Sequence, residues 1–170
     1  RRMQRFWDDM FAPLEVKTPD AAFDLLTNTW LKYQTLSSRV WGRTGYFQPG
    51  GAFGFRDQLQ DSLVFLPLDP QGTKRQIRLH AAHQFQDGTT WHWWHPLTEE
   101  GAKKKYNDDL LWLPFVTLAY LRETADFAAL RERVPYLGPG GKPSRETGTL
   151  YEHCRRAIDT FWTRLSPRGV

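Results

Sequence analysis

Cysteine is nearly absent: Cys154 stands alone in 170 residues. No internal disulfide is possible, and a reducing, cytoplasmic compartment is the expectation. Long apolar runs are absent too. None reaches the length of a membrane span, and no charged-then-apolar leader pattern opens the sequence. Charge of one sign is scarce, with a formal net charge of +4. The positive groups are dispersed except for Lys103-Lys104-Lys105 and the helical set Lys74, Arg75 and Arg78. A nucleic-acid binder gathers such groups on one face, so no nucleic-acid partner is expected and these runs read as solvated edges. The glycines between Gly42 and Phe55 match neither a dinucleotide fingerprint nor a phosphate loop. No alternating strand pattern and no internal repeat stands out.

What is present is aromatic. The chain carries 8 tryptophans, with 15% aromatic, 40% hydrophobic and 25% charged residues, a globular composition. Trp91, Trp93, Trp94 and Trp112 fall close together, which predicts a partly exposed aromatic site. Sugar rings, bases and cations all stack on such faces. His92 and His95 lie in the same run. Two histidines with no third ligand nearby are a poor metal signal, so they are expected to bond hydroxyl groups or backbone instead.

Periodicity predicts a mostly helical chain. A helix opens at Pro19-Asp20 and runs to Trp41, with Phe23, Leu26, Trp30, Tyr33, Leu36 and Val40 recurring every three or four residues. A second starts near Asp57, which places Asp57 and Asp61 on one face beside Arg56, whose fork can hold a carboxylate or vicinal hydroxyls. Others cover Thr73–Phe85, Asp108–Thr124, Asp126–Arg133 and Thr147–Arg164. Cys154 falls inside the last as a buried structural thiol. The segment from Val134 to Arg145 reads as a Pro/Gly-rich loop. Long loops after Trp41, after Phe85 and after Pro135 would gather at one mouth if the helices pair antiparallel, the plan of an α/α toroid.

The centre of the sequence is Tyr106-Asn107-Asp108-Asp109, just before the apolar run Leu110–Leu113. An Asn or Asp there can cap a helix. Alternatively, a carboxyl among aromatics and beside a second carboxylate has a raised pKa and makes a general acid, although a helix N-terminus favours the ionised form.

Five blocks stand in order and spacing: Asn28-Thr29-Trp30-Leu31-Lys32-Tyr33-Gln34, Gly54-Phe55-Arg56-Asp57-Gln58-Leu59-Gln60-Asp61, Gln84-Phe85-Gln86-Asp87-Gly88, Trp91-His92-Trp93-Trp94-His95-Pro96 and Asn107-Asp108-Asp109-Leu110-Leu111-Trp112-Leu113. Together they resemble the catalytic domain of glycoside hydrolase family 94, the inverting disaccharide and oligosaccharide phosphorylases and the phosphorylase-like domains of cyclic β-1,2-glucan synthases. The His-Trp-Trp-His-Pro loop and Thr149 to Cys154 most resemble the β-1,2-glucan branch. The likeness runs from about Met10 onward.

The resemblance implies an all-α fold in which residues 1–170 are one partial catalytic domain, the N-terminal half of an (α/α)6 barrel. It implies inverting phosphorolysis of β-glucosidic bonds, with inorganic phosphate as co-substrate and no metal or organic cofactor. Asp108 would be the general acid. Arg56 and Asp61 would hold sugar hydroxyls, the ring of Tyr106 would flank the same sugar, and Arg43, Trp93, His95 and Asp109 complete the expected substrate-binding set. Asp109 would keep Asp108 protonated by like-charge repulsion, or orient the loop. The partners implied are a β-linked gluco-oligosaccharide, phosphate, the remainder of a longer parent polypeptide, and a second copy in a homodimer of that parent. The family's phosphate-binding residues fall C-terminal to the Asn-Asp-Asp block, so the chain is expected to be a fragment without complete activity. A sugar-binding piece without catalysis, or a basic helical nucleic-acid binder, are the alternatives.

Overall fold

A computed structural model describes residues 1–42, 50–104, 106 and 108–166. Among these residues are seven α-helices: α1 (Arg2–Phe11), α2 (Ala21–Leu25), α3 (Leu31–Gln34), α4 (Phe55–Asp61), α5 (Pro70–Ala81), α6 (Trp112–Thr124) and α7 (Leu150–Trp162). Wide π turns at Leu26–Trp30 and Thr35–Trp41 make α2 and α3 parts of one continuous helix, as the periodicity predicts. Asp20 opens it: its carboxylate accepts from the N–H groups of Ala22 and Phe23, which have no partner in the first turn. Only the far end of its apolar stripe is buried. Leu36 and Val40 pack with Phe65 under Trp7, Met10 and Phe11. Phe23, Leu26, Trp30 and Tyr33 are exposed, although Trp7 of α1 meets the Tyr33 ring edge-on at 4.9 Å.

α6 is the centre of the main core. Its Leu113, Val116 and Tyr120 meet Phe55 and Leu59 of α4, Ile77 and Ala81 of α5, and Leu150 and Cys154 of α7. Each of these helices contributes residues three or four apart, so each presents a single stripe. α7 starts with a capping box: the Thr149 hydroxyl accepts from the Glu152 N–H, and the Glu152 carboxylate accepts from the Thr149 N–H. Cys154 is buried among these helices, 3.6 Å from the Thr117 hydroxyl, and burial pushes its thiol up to about 11. It is inert at neutral pH, in keeping with its place inside an amphipathic helix.

The expectation of no strand is corrected. β1 (Phe53–Gly54), β2 (Trp93–Trp94) and β3 (Gly101–Ala102) form a small antiparallel sheet with β2 in the middle. The segment read as a Pro/Gly loop is a hairpin of β4 (Arg133–Leu137) and β5 (Pro143–Thr149), irregular between Pro135 and Leu137. Both of its strands are edges, where proline is tolerated. α5 ends at Ala81 rather than at Phe85, and Gln84 and Phe85 turn away to meet Thr90 and Leu137 in isolated bridges. The loops after Phe85 and after Pro135 therefore do come together. The Leu137 N–H donates to the Gln84 carbonyl at 2.8 Å. Among the described residues, no helix is long and apolar enough to cross a membrane.

Candidate active site

The small sheet brings the chemistry-bearing residues to one end. β1 runs directly into α4, whose second residue is Arg56. β3 runs toward Tyr106 and Asp108. β2 lies between them, with His92 just before it. At that end, Arg56 donates from one guanidinium nitrogen to an Asp108 carboxylate oxygen at 3.0 Å. Asp108 opens the 3-10 turn Asp109–Leu111, closed by the Leu111 N–H on the Asp108 carbonyl. The Asp108 side chain caps no helical N–H, so the plain N-cap reading does not hold for Asp108; Asn107 lies outside the described residues.

The two neighbouring carboxyls differ sharply. The Asp108 side chain is about half exposed, whereas Asp109 is 3% exposed as a residue. Partial burial pushes Asp108 up, but the hydrogen bond and charge of Arg56, with smaller pulls from the Asp108 backbone N–H and the Trp112 side chain, outweigh it and hold the carboxyl below the usual aspartate value. Arg56 is correspondingly raised, chiefly by the same bond. Asp109 goes the other way. Burial pushes its pKa up, and the bond from His92 offsets that only in part. The expectation that Asp109 keeps Asp108 protonated is therefore corrected for the free chain: Arg56 decides the state of Asp108, and the raised carboxyl is Asp109.

The Nδ1 of His92 lies 2.8 Å from the Asp109 Oδ2. Its ring lies 4.4 Å from the ring of Tyr106, which is itself exposed. The second Asp109 oxygen, Oδ1, is buried with no hydrogen-bond partner among the described residues. On the other side of Asp108, a concavity of about 190 Å³ is lined by Asp108, Leu111, Trp112 and Phe115. The rings of Trp112 and Phe115 meet edge to face at 5.3 Å. A carboxyl at the rim of an aromatic hollow suits a ligand with both hydroxyl groups and an apolar face, as sugar rings have. A larger concavity of about 300 Å³, beside Phe85 and Lys103, has its charges already paired, Lys103 with Asp87 at 3.2 Å.

The remaining expected residues divide. Asp61, in the last turn of α4, accepts from the Arg39 Nε at 2.9 Å. Trp93 is half-buried in β2, its ring 5.3 Å from the ring of His95. Arg43 lies outside the described residues. The expected tryptophan cluster is split. Trp94 is fully buried, stacked on His83 at 4.1 Å, while Trp91 packs edge-on to Phe85. Adjacent strand residues face opposite ways, so Trp93 and Trp94 cannot share a surface. Sequence reasoning missed the pairing of His92 with Asp109 and of Arg39 with Asp61. Neither has a spacing signal, since each joins elements folded together only by the core. Among the described residues, no group of three or more His, Cys, Asp or Glu side chains is placed to hold a metal ion.

Comparison with known proteins gives the same picture at the level of the family. The chain is 39% identical, over 97% of its own length, to the cyclic beta-(1,2)-glucan synthase NdvB of Rhizobium meliloti (strain 1021), and covers 6% of that protein. It is 37% identical over 88% of its length to a solabiose phosphorylase of Paenibacillus borealis, covering 17% of it. It is 28% identical over 96% of its length to an N,N'-diacetylchitobiose phosphorylase of Vibrio proteolyticus, covering 23% of it. The chain thus spans less than a quarter of the length of these relatives. The family model for the glycosyl hydrolase 94 superfamily, catalytic domain, matches residues 6–170, and the chain belongs to that family.

Proposed function

We propose that this chain is the first half of the (α/α)6 barrel of a longer polypeptide, an inverting phosphorylase of β-glucosidic bonds in which Asp108 is the general acid. The observation that carries the reading is the contact of Arg56 with Asp108 at 3.0 Å, at the rim of an aromatic hollow, in a chain of this family. In the reaction, Asp108 gives its proton to the glycosidic oxygen. The bond from that oxygen to the anomeric carbon breaks, its electron pair going to the oxygen. An oxygen of inorganic phosphate attacks the anomeric carbon from the opposite face, giving α-glucose 1-phosphate and a free sugar hydroxyl. An inverting hydrolase separates its acid and base by roughly 6.5–9.5 Å to fit a water. Phosphate is already an anionic nucleophile, so one acid carboxyl suffices and no metal or organic cofactor is called for.

Arg56 and Asp61 hold hydroxyls of the transferred glucosyl unit, and Tyr106 flanks its ring. Trp93, His95 and Asp109, with Arg43, extend the substrate surface. The 39% identity to a protein named as a cyclic beta-(1,2)-glucan synthase favours a β-1,2-linked substrate. Phosphate binds to parts of the parent polypeptide outside this chain, and the parent works as a cytoplasmic homodimer.

The test is phosphate release from α-glucose 1-phosphate with glucose or sophorose as acceptor, in the full-length polypeptide. Release that Asp108→Asn abolishes supports the reading. Release unchanged by that substitution moves the acid elsewhere. No release with any β-glucoside acceptor refutes the activity and leaves sugar binding.

A further inference from the structure

The contact between Arg56 and Asp108 joins two segments of chain, and a single residue touches both. The His92 carbonyl accepts from the N–H of Phe55, the residue before Arg56, at 3.0 Å. The His92 N–H donates to the Ala102 carbonyl at 2.8 Å, which fixes β3 on the way to Tyr106. Its imidazole reaches Asp109, the residue after Asp108, at 2.8 Å, and its ring face lies against Tyr106. Asp109 is almost wholly buried, and its other oxygen has no hydrogen-bond partner among the described residues. A buried carboxyl with one bond loses most of its support when that bond goes, and it then moves toward water. Asp108 is one peptide unit away and would follow.

We propose that His92 is a positioning residue: it sets Asp108 against Arg56 by holding Asp109, and separately holds the sugar-flanking ring of Tyr106. The kinetic side of this inference rests on the phosphorylase reading; the geometric side does not. The two duties of the imidazole use different parts of it. The nitrogen serves the acid, and the ring face serves the sugar subsite.

Two substitutions separate them. His92→Phe keeps a flat ring against Tyr106 and lacks the nitrogen. In the full-length polypeptide, kcat for phosphate release is expected to fall about 10–100-fold with KM for the glucosyl donor little changed, as misplacement of a reacting group by about 1 Å does. His92→Asn offers an amide N–H near the position of Nδ1 and lacks the ring. It is expected to recover most of kcat and to raise KM. A purely structural residue moves kcat and KM together in both variants, and that result overturns the proposal. A crystal structure of His92→Phe tests the geometry independently of activity. Separation of Arg56 from Asp108 beyond the roughly 4 Å limit of an ion pair supports the proposal. Retention of the 3.0 Å contact overturns it. If the wild-type polypeptide releases no phosphate, the phosphorylase reading fails and the structure of the variant alone decides the role of His92.

Discussion

Lowering the pH from 7 to 5 should loosen the floor beneath the site through one histidine. His80 is fully buried in α5, with the rings of Phe55 and Trp94 edge-on at 5.2 Å each. Its Nδ1–H donates to the Gln76 carbonyl at 2.8 Å. Burial, with the nearby charge of His83 acting the same way, lowers its pKa from 6.5 to about 3, against a smaller upward pull from the carbonyl bond. The folded state thus refuses a proton that the unfolded state accepts below 6.5. A group with a depressed folded pKa contributes stability that is present above the unfolded value and lost as pH falls through it. At pH 5, about 1.5 units below 6.5, the loss is about 2 kcal/mol at 1.36 kcal/mol per unit. For a protein of this size that is a fall of about 4–8 °C in Tm, at about 2–4 °C per kcal/mol. Other groups also titrate in this range, and His153 is depressed in the same direction by burial. The measurement is therefore a difference of differences: Tm at pH 7 and pH 5, by circular dichroism, for wild type and His80→Gln. The wild type should lose about 4–8 °C more than the variant over this interval. Parallel losses would show that His80 takes up its proton in the folded state and that the burial argument is wrong. The consequence reaches the site, because Phe55 precedes Arg56 and Trp94 is half of β2.

The order of the two neighbouring carboxyls is open to direct measurement. Carboxyl carbon NMR should put the Asp108 pKa below the ordinary 3.8 and that of Asp109 above it; the reverse order would refute the electrostatic account. Arg56→Gln removes the group that holds Asp108 down, so the Asp108 value should rise. Asp109 acts on stability with the opposite sign to His80: its contribution is present below 3.8 and is lost as pH rises through its raised folded value. Gly148→Ala should destabilise by about 1–3 kcal/mol through overpacking, because a Cβ there lies 2.3 Å from the Tyr136 hydroxyl. Tyr136 has no room to retreat, being stacked on His153 at 4.0 Å with Arg156 over its other side at 4.3 Å. A melting temperature unchanged by this substitution would refute that reasoning.

The helices were legible where an apolar stripe of period 3.6 was present, with the start exact where a capping signal was read, as at Asp20; the last helix, expected from Thr147, starts after its cap at Thr149. The strands were not. β1, β2 and β3 have two residues each, too few for any alternation to be read. β5 carries no apolar alternation at all, and β4 contains Pro135, which counts against a strand unless the strand is an edge. The limits of the exposed stripe on the first long helix were equally hidden, since they depend on where α1 comes to rest. At the site, the residue types were readable and their couplings were not. The motif order pointed to Arg56, Tyr106, Asp108 and Asp109, but the contacts of His92 with Asp109 and of Arg39 with Asp61 span 17 and 22 residues. Such pairs follow from packing of the whole core, which no local pattern encodes.

The free geometry makes a demand on the proposed chemistry. An acid working near neutral pH needs a raised pKa, yet Arg56 holds Asp108 down. Among the influences on Asp108, burial already pushes upward and is the largest single one; against it stand first the hydrogen bond and charge of Arg56, then smaller downward pulls from the Asp108 backbone N–H and from the Trp112 side chain. The two largest downward influences come from one side chain, and that side chain is about half exposed. A sugar whose hydroxyls take up the guanidinium fork weakens the pair, and the same sugar, settling against Trp112 and Phe115, excludes water from Asp108. The two effects have the same sign. Substrate would thus raise the Asp108 pKa by removing its partner and deepening its burial, so that the acid form arises where a glycosidic oxygen is present to receive the proton. Asp109, already buried and tied to His92, does not need to move for this to happen. The neighbouring carboxyls can therefore hold different duties: one responds to the ligand, and the other keeps the backbone in place while it does.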